Sequence, residues 1–260
     1  MQSSRMQFPA RALAGALFLA ASCPAWADSA PPPMGVWTGK GQFGYLSSSG
    51  NTDARAVNAN LDMTFTQDPW KHELHLGGLY GDNSGIVSAE RWDAHWQSNY
   101  ALSSTMFVFG ALRYEHDLFD GFQYQGSAAT GLGYKIVNTD ATKLSVQLGA
   151  GFRRLRLEQL IRNTAGAVIG RIPGESQDNA ILSAGLDYAQ QLTSSTTLTD
   201  TLGVEYSSGN SLITNNLGLA VKISTKLALA LGYAIKDNTQ PPPGLKKVDT
   251  VTTVNLQYSF

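Results

Sequence analysis

The sequence predicts an all-β fold, an antiparallel transmembrane β-barrel of about 12 strands of the bacterial outer-membrane type. Three observations predict it. Consecutive stretches of roughly ten residues alternate apolar with polar or small side chains, which is the period-2 signature of strands. The connections between them alternate between tight and longer, as two unlike barrel rims require. Rings gather at both ends of one face while aliphatic side chains hold its centre, the layout of two interfacial girdles around an apolar band.

Residues 1–27 read as a secretory signal peptide: Arg5 and Arg11 precede the apolar run Ala12 to Ala21, and Ala25-Trp26-Ala27 offers small residues for cleavage. The run falls well short of the ~20 residues that a membrane-crossing helix needs. Lipid attachment at Cys23 is disfavoured, because Ala20 stands where lipoprotein signals usually carry Leu. Residues 28–35 form a Pro-rich lead, and 36–260 the barrel domain. Strands are predicted near 36–46, 54–66, 71–80, 89–101, 106–116, 123–136, 142–154, 180–190, 197–206, 212–223, 227–236 and 250–260. The second shows the alternation best, with Val57, Ala59, Leu61, Met63 and Phe65 on one face and Asn58, Asn60, Asp62, Thr64 and Thr66 on the other. Past the signal, helical periodicity over ten or more positions is absent, which argues against α/β and all-α classes.

Asp68-Pro69, Ser103-Ser104, Ser194-Ser195 and Ser224-Thr225 mark tight turns, while Leu157 to Asn179 and Asp237 to Asp249 read as long loops. Trp37, Phe65, Tyr100, Tyr134 and Tyr258 fall at the short-turn rim. Tyr45, Tyr80, Trp92, Tyr114, Phe152 and Tyr206 fall at the long-loop rim. A soluble sandwich also alternates, but has no reason to sort rings to both edges. The chain finishes on Val254, Leu256, Tyr258 and Phe260 on one face, similar to the C-terminal signal by which bacterial barrels are recognised for assembly, so Tyr258 and Phe260 are the expected assembly signal.

Composition narrows the function classes. With 19 Lys+Arg against 20 Asp+Glu, nucleic-acid binding is disfavoured; with one Cys, so is a disulfide scaffold; and 43% hydrophobic content argues against disorder. Gly39-Lys40-Gly41-Gln42-Phe43-Gly44 matches a dinucleotide fingerprint in letters only, since that motif needs a following helix. His72-Glu73-Leu74-His75 spaces its histidines wrongly for a zinc-protease helix, and on a strand they point to opposite faces. No metal site, cofactor or catalytic set is expected.

If the ringed face points outward, Glu73 and His75, then Arg91, Asp93 and His95, then Arg113 and Glu115 all point inward from three neighbouring strands as one mixed-charge wall. Opposite them, Gly218, Ala220, Ala228, Ala230 and Gly232 are expected to leave space. The charges either pair across strands as filling or form a polar constriction for small solutes; a catalytic role for them, or for His116-Asp117, ranks last.

Trp37-Thr38-Gly39 with Ser49-Gly50-Asn51-Thr52, and Pro242-Pro243-Gly244-Leu245-Lys246-Lys247-Val248-Asp249-Thr250 running into Tyr258-Ser259-Phe260, resemble the YdiY-like family of salt-induced outer membrane proteins, a domain of unknown function. The resemblance spans most of the mature chain and implies fold and location; a salt or osmotic stress role comes from it alone. The expectation is a non-enzymatic narrow channel or envelope component in the cell outer membrane. Its partners would be outer-membrane lipid, the barrel assembly machinery and small solutes. The alternatives are a barrel-embedded hydrolase and a surface-binding structural barrel.

Overall fold

Alternation along the chain resolves into twelve strands in the structure, a computed structural model that describes residues 35–48 and 54–260. The signal 1–27, nearly all of the Pro-rich lead and Ser49-Gly50-Asn51-Thr52 lie outside the described residues. The strands are β1 (Val36–Ser48), β2 (Ala54–Gln67), β3 (Trp70–Asn83), β4 (Ile86–Ala101), β5 (Met106–Asp117), β6 (Phe122–Asn138), β7 (Thr142–Arg162), β8 (Val168–Gln191), β9 (Thr196–Tyr206), β10 (Leu212–Lys222), β11 (Leu227–Asn238) and β12 (Val248–Ser259). Each pairs antiparallel with its sequence neighbours, and β1 with β12 closes the barrel. Closure gives backbone N–H and C=O groups ladder partners, the condition for a sheet to sit in lipid. Gly39 to Gly44 lie within β1, and no helix follows them.

Parity sorts the side chains as the sequence predicts. Aliphatic Leu76, Val108, Leu148, Leu182, Leu229 and Leu231 are exposed on the outer face. Trp37, Tyr100, Tyr134 and Tyr258 are exposed at the short-turn rim, and Phe65 lies half-buried 4.8 Å from Trp37. Tyr45, Tyr80, Trp92, Tyr114, Phe152 and Tyr206 are exposed at the opposite rim.

The segment Leu157 to Asn179 departs from expectation. It is mostly strand: β7 runs 21 residues and β8 24, joined by a turn over 163–167. Bulges interrupt their register between Arg156 and Glu158, and between Ile161 and Arg162. Since ~9–11 residues cross a bilayer, this hairpin projects well beyond one. Its outer part has no lumen on either side, so beyond Glu158 neither face is buried and the alternation that marks the other strands is weak there. The asymmetry between the rims is carried by this extended hairpin more than by loops, because β3 and β4 are joined only by Ser84 and Gly85.

At the seam, the β1–β12 register extends only from Lys40↔Ser259 to Phe43↔Leu256. Gly39 and Phe260 add two backbone hydrogen bonds of 2.9 Å each. The Phe260 ring lies over Gly39, where an added Cβ would meet its Cζ at 2.4 Å. Inside the barrel, Gln42 Nε2 donates to Gln257 Oε1 at 3.0 Å and Asn58 Nδ2 to Asn255 Oδ1 at 2.9 Å, tying the seam from within.

Candidate functional site

Inward positions of β3 to β5 carry the charges that the sequence singles out, and the barrel brings most of them together. Asp62 on β2 lies opposite His75 on β3, with Nδ1 to Oδ1 at 2.7 Å, and His75 Nε2 lies 3.3 Å from Asp93 Oδ2 on β4. Both ring nitrogens therefore face carboxylate oxygens, which only accept hydrogen bonds, an arrangement that the doubly protonated ring satisfies. Arg91 Nη2 contacts Asp93 Oδ1 at 3.3 Å, and Arg91 Nε reaches Glu115 Oε1 on β5 at 3.9 Å. Arg113 Nη1 donates to Glu115 Oε2 at 3.2 Å. His95 stands in register between His75 and Arg113 and joins no ion pair among the described residues. Glu73 is held apart, nearer the short-turn rim, by Lys71 Nζ at 2.6 Å and Asn99 Nδ2 at 3.1 Å.

The wall does not stop at three strands. Arg113 forks onto Glu205 of β9, Nε to Oε1 and Nη2 to Oε2 both at 3.1 Å, and Ser127 Oγ donates to the same carboxylate at 2.6 Å. Arg153 on β7 is fully buried, with Nη1 3.7 Å from Glu205 Oε2 and Nη2 donating to Ser207 Oγ and to the Asn210 carbonyl. Lys236 on β11 reaches Glu115 and, at 2.5 Å, Asp120 Oδ2. Because β5 and β11 are half the ring apart, the Lys236–Glu115 pair crosses the lumen as a strut. Gln97 of β4 and Gln147 of β7 make a second, neutral bridge of 3.0 Å.

Sequence reasoning missed Asp62, Asp120, Arg153, Glu205, Lys236 and Lys40, whose Nζ lies 3.6 Å from Asp62 Oδ2. Parity alone puts Lys236 on the inward face with Ala230 and Gly232, and Glu205 on that of β9, but which strands meet across a lumen is fixed only by closure and shear. The small-residue side is also corrected. Ala228 and Ala230 are buried instead of facing open space, while Thr199 Oγ1 and Thr253 Oγ1 take up the room beside Gly218 and Gly232, lying 2.7 and 2.6 Å from where a Cβ would stand.

Above the struts, the long-loop mouth is capped. The β5–β6 turn folds inward with Leu118, Asp120 and Phe122 buried. Gly121 adopts φ +74, and an added Cβ there would meet Leu245 Cδ1 at 2.5 Å and Pro242 Cγ at 2.8 Å, so only glycine lets the β11–β12 connection lie on the turn. Burial pushes the Asp120 carboxyl up to about 6, beyond what Lys236 gives back, since that one ammonium is shared with Glu115. Towards the short-turn rim, inward Phe107 and Phe109 are buried against Gly133 and Gly149. Among the described residues, no cluster of three or more His, Cys, Asp or Glu is arranged to hold a metal ion.

Residues 41–260 match a family described as "Protein of unknown function, DUF481". The chain belongs to the DUF481 family. It is 25% identical over 223 residues to the uncharacterized protein YdiY of Escherichia coli (strain K12), covering 84% of this chain and 81% of that protein. Solved structures of other proteins are similar to this member of the family. They include an outer membrane channel from Pseudomonas putida F1 (10% identity, 88% and 96% of the two chains, TM-score 0.47). Others are the NanC porin (10%, 86% and 99%, 0.45) and the translocator domain of the autotransporter NalP from Neisseria meningitidis (14%, 86% and 87%, 0.44).

Proposed function

We propose that the protein resides in the cell outer membrane and serves there, without catalysing a reaction, as a narrow channel for small solutes whose lumen is closed by ion pairs. The observation that carries this reading is the pair of charged struts, Lys236–Glu115 and Arg113–Glu205, that cross the barrel. Paired charges can fill a barrel interior as well as neutral side chains can, but charged contacts across the lumen can also exchange partners, as a gate requires. A link to salt stress would run through the exposed members of the network, such as Lys40–Asp62, because the screening length shrinks from ≈ 8 Å at physiological ionic strength to ≈ 3 Å at 1 M while the buried struts are screened much less. The hydrolase alternative has less support, because Asp93, Glu115 and Glu205 are each engaged by a cation, and a general acid or base must be free to exchange a proton.

The test is conductance of the purified protein in a planar bilayer across a salt series. The channel reading expects conductance per unit of bulk conductivity to rise with salt. A plugged barrel shows no openings at any salt. That outcome would favour the second reading, a surface-binding barrel, which rests on the β7–β8 hairpin with exposed Ile161, Ile169 and Ile172.

A further inference from the structure

On the outer face, the wall is not smooth. A groove of about 500 Å³ lies on the outer face at β6, where Gly126 and Ala128 form its floor. Tyr114 and Leu112 of β5 wall it on one side, and Phe152, the most exposed large apolar side chain among the described residues at 73%, on the other. Tyr114 stacks on Tyr124 at 6.0 Å and on Trp92 at 4.9 Å, so the upper wall is a row of rings. Two residues before Leu112 on the same face of β5, Gly110 leaves open space, since an added Cβ there would meet nothing within 4 Å.

The upper lip of this apolar trough is cationic. Arg154 lines it, in register with Gly126, and Arg156 follows two residues on, on the same face of β7 and in register with Tyr124. Arg154 contacts Asp178 through Nε at 3.4 Å with both side chains more than half exposed, and Arg156 donates from Nε to the Gly174 carbonyl at 3.3 Å. Neither contact uses the Nη groups, the fork with which arginine binds phosphate. An exposed pair such as Arg154–Asp178 is weak enough to yield to a stronger anion.

We propose that this groove is a binding site for a phosphate-bearing membrane lipid, one acyl chain lying over Gly126 and Ala128 and the phosphate held by Arg154 and Arg156. The inference rests on the membrane reading above and adds a ligand to it. Charge complementarity selects the occupant: the long-loop rim puts two guanidinium groups where a lipid headgroup meets the girdle of Tyr114, Tyr124 and Phe152. A lipid without a phosphate would fill the apolar trough equally well but gain little at the lip.

The experiment is native mass spectrometry of the full-length mature barrel purified in detergent, with lipid A as probe and its dephosphorylated counterpart as control. Lipid A should be retained at least about tenfold more strongly than the control, and Arg154→Gln with Arg156→Gln should abolish the difference. Gly126→Leu should fill the trough and reduce retention of both lipids, whereas Gly126→Ala, whose Cβ meets only ordinary contacts of 3.5 Å or more, should not. Equal retention of the two lipids by the wild type, or wild-type retention by folded arginine variants, overturns the lipid site and leaves the membrane reading standing. A wild-type chain that fails to fractionate with membranes overturns both.

Discussion

Replacing Lys236 by Met removes the central strut at nearly constant volume. In the structure the ammonium lies between Glu115 and Asp120, and all three side chains are buried. Leaving a buried partner unpaired typically costs about 3–5 kcal/mol. Two features put this case at the lower end. Glu115 keeps Arg113 at 3.2 Å and Arg91 at 3.9 Å, and Asp120, already raised to about 6, can take up a proton while still accepting from Gln125 at 2.9 Å. The expected loss is therefore about 3 kcal/mol at pH 7, shrinking at pH 5 where protonating Asp120 is easier. Urea unfolding of the refolded barrel, followed by tryptophan fluorescence, measures it. Lys236→Met with Asp120→Asn should recover part of the loss, because the second change removes the stranded charge. The same single variant should open more often in bilayers. A loss below about 1 kcal/mol together with unchanged conductance would refute the strut as either a structural or a gating element.

Removing positive charge from the wall by Arg91→Gln with Arg113→Gln leaves Asp93, Glu115 and Glu205 under-compensated. Reversal potentials under a salt gradient should shift towards cations, and Leu74→Ala with Leu76→Ala on the outer face should leave them unchanged. Because the folded chain raises Asp120 to about 6, the stability linked to this group is complete below about 4 and is lost as pH rises through about 6. Unfolding midpoints of the wild type should thus fall between pH 4 and 7 relative to Asp120→Asn, and parallel pH profiles would contradict the assignment. Deleting Phe260 removes the ring over Gly39 and two seam hydrogen bonds, and should lower the heat-modifiable folded fraction in outer membranes; wild-type levels would count against an assembly role. Intact mass of the membrane-derived protein should correspond to a chain beginning at Asp28, without lipid on Cys23.

Much of the fold was legible because each wall strand carries apolar side chains on its outer face and polar ones towards the interior, which writes the period into the sequence. Where that contrast disappears, so does the signal. Gln159, Arg162 and Glu175, with Pro173-Gly174 and the turn around Gly166, gave 157–179 the composition of a loop, although Pro173 sits opposite a bulge in a continuous hairpin. Met106-Phe107-Val108-Phe109 is apolar on both faces, so although a strand was expected at 106–116 and β5 runs Met106–Asp117, the inward rings of Phe107 and Phe109 were not marked by alternation. The charged wall on β3, β4 and β5 was found from neighbouring strands. Its partners Glu205 and Lys236 lie 92 and 121 residues beyond Arg113 and Glu115, where only closure brings them into contact.

Twelve ladders in a ring share any strain unequally. The one between β1 and β12 carries four register pairs where the others carry at least ten, so it is the fault line along which the cylinder would first unzip. Its remaining fasteners are amide side chains from Gln42, Asn58, Asn255 and Gln257, together with the last residue of the chain hooked over Gly39. Such a suture can be tightened only once Phe260 is in place, which makes that residue the clasp of the whole cylinder.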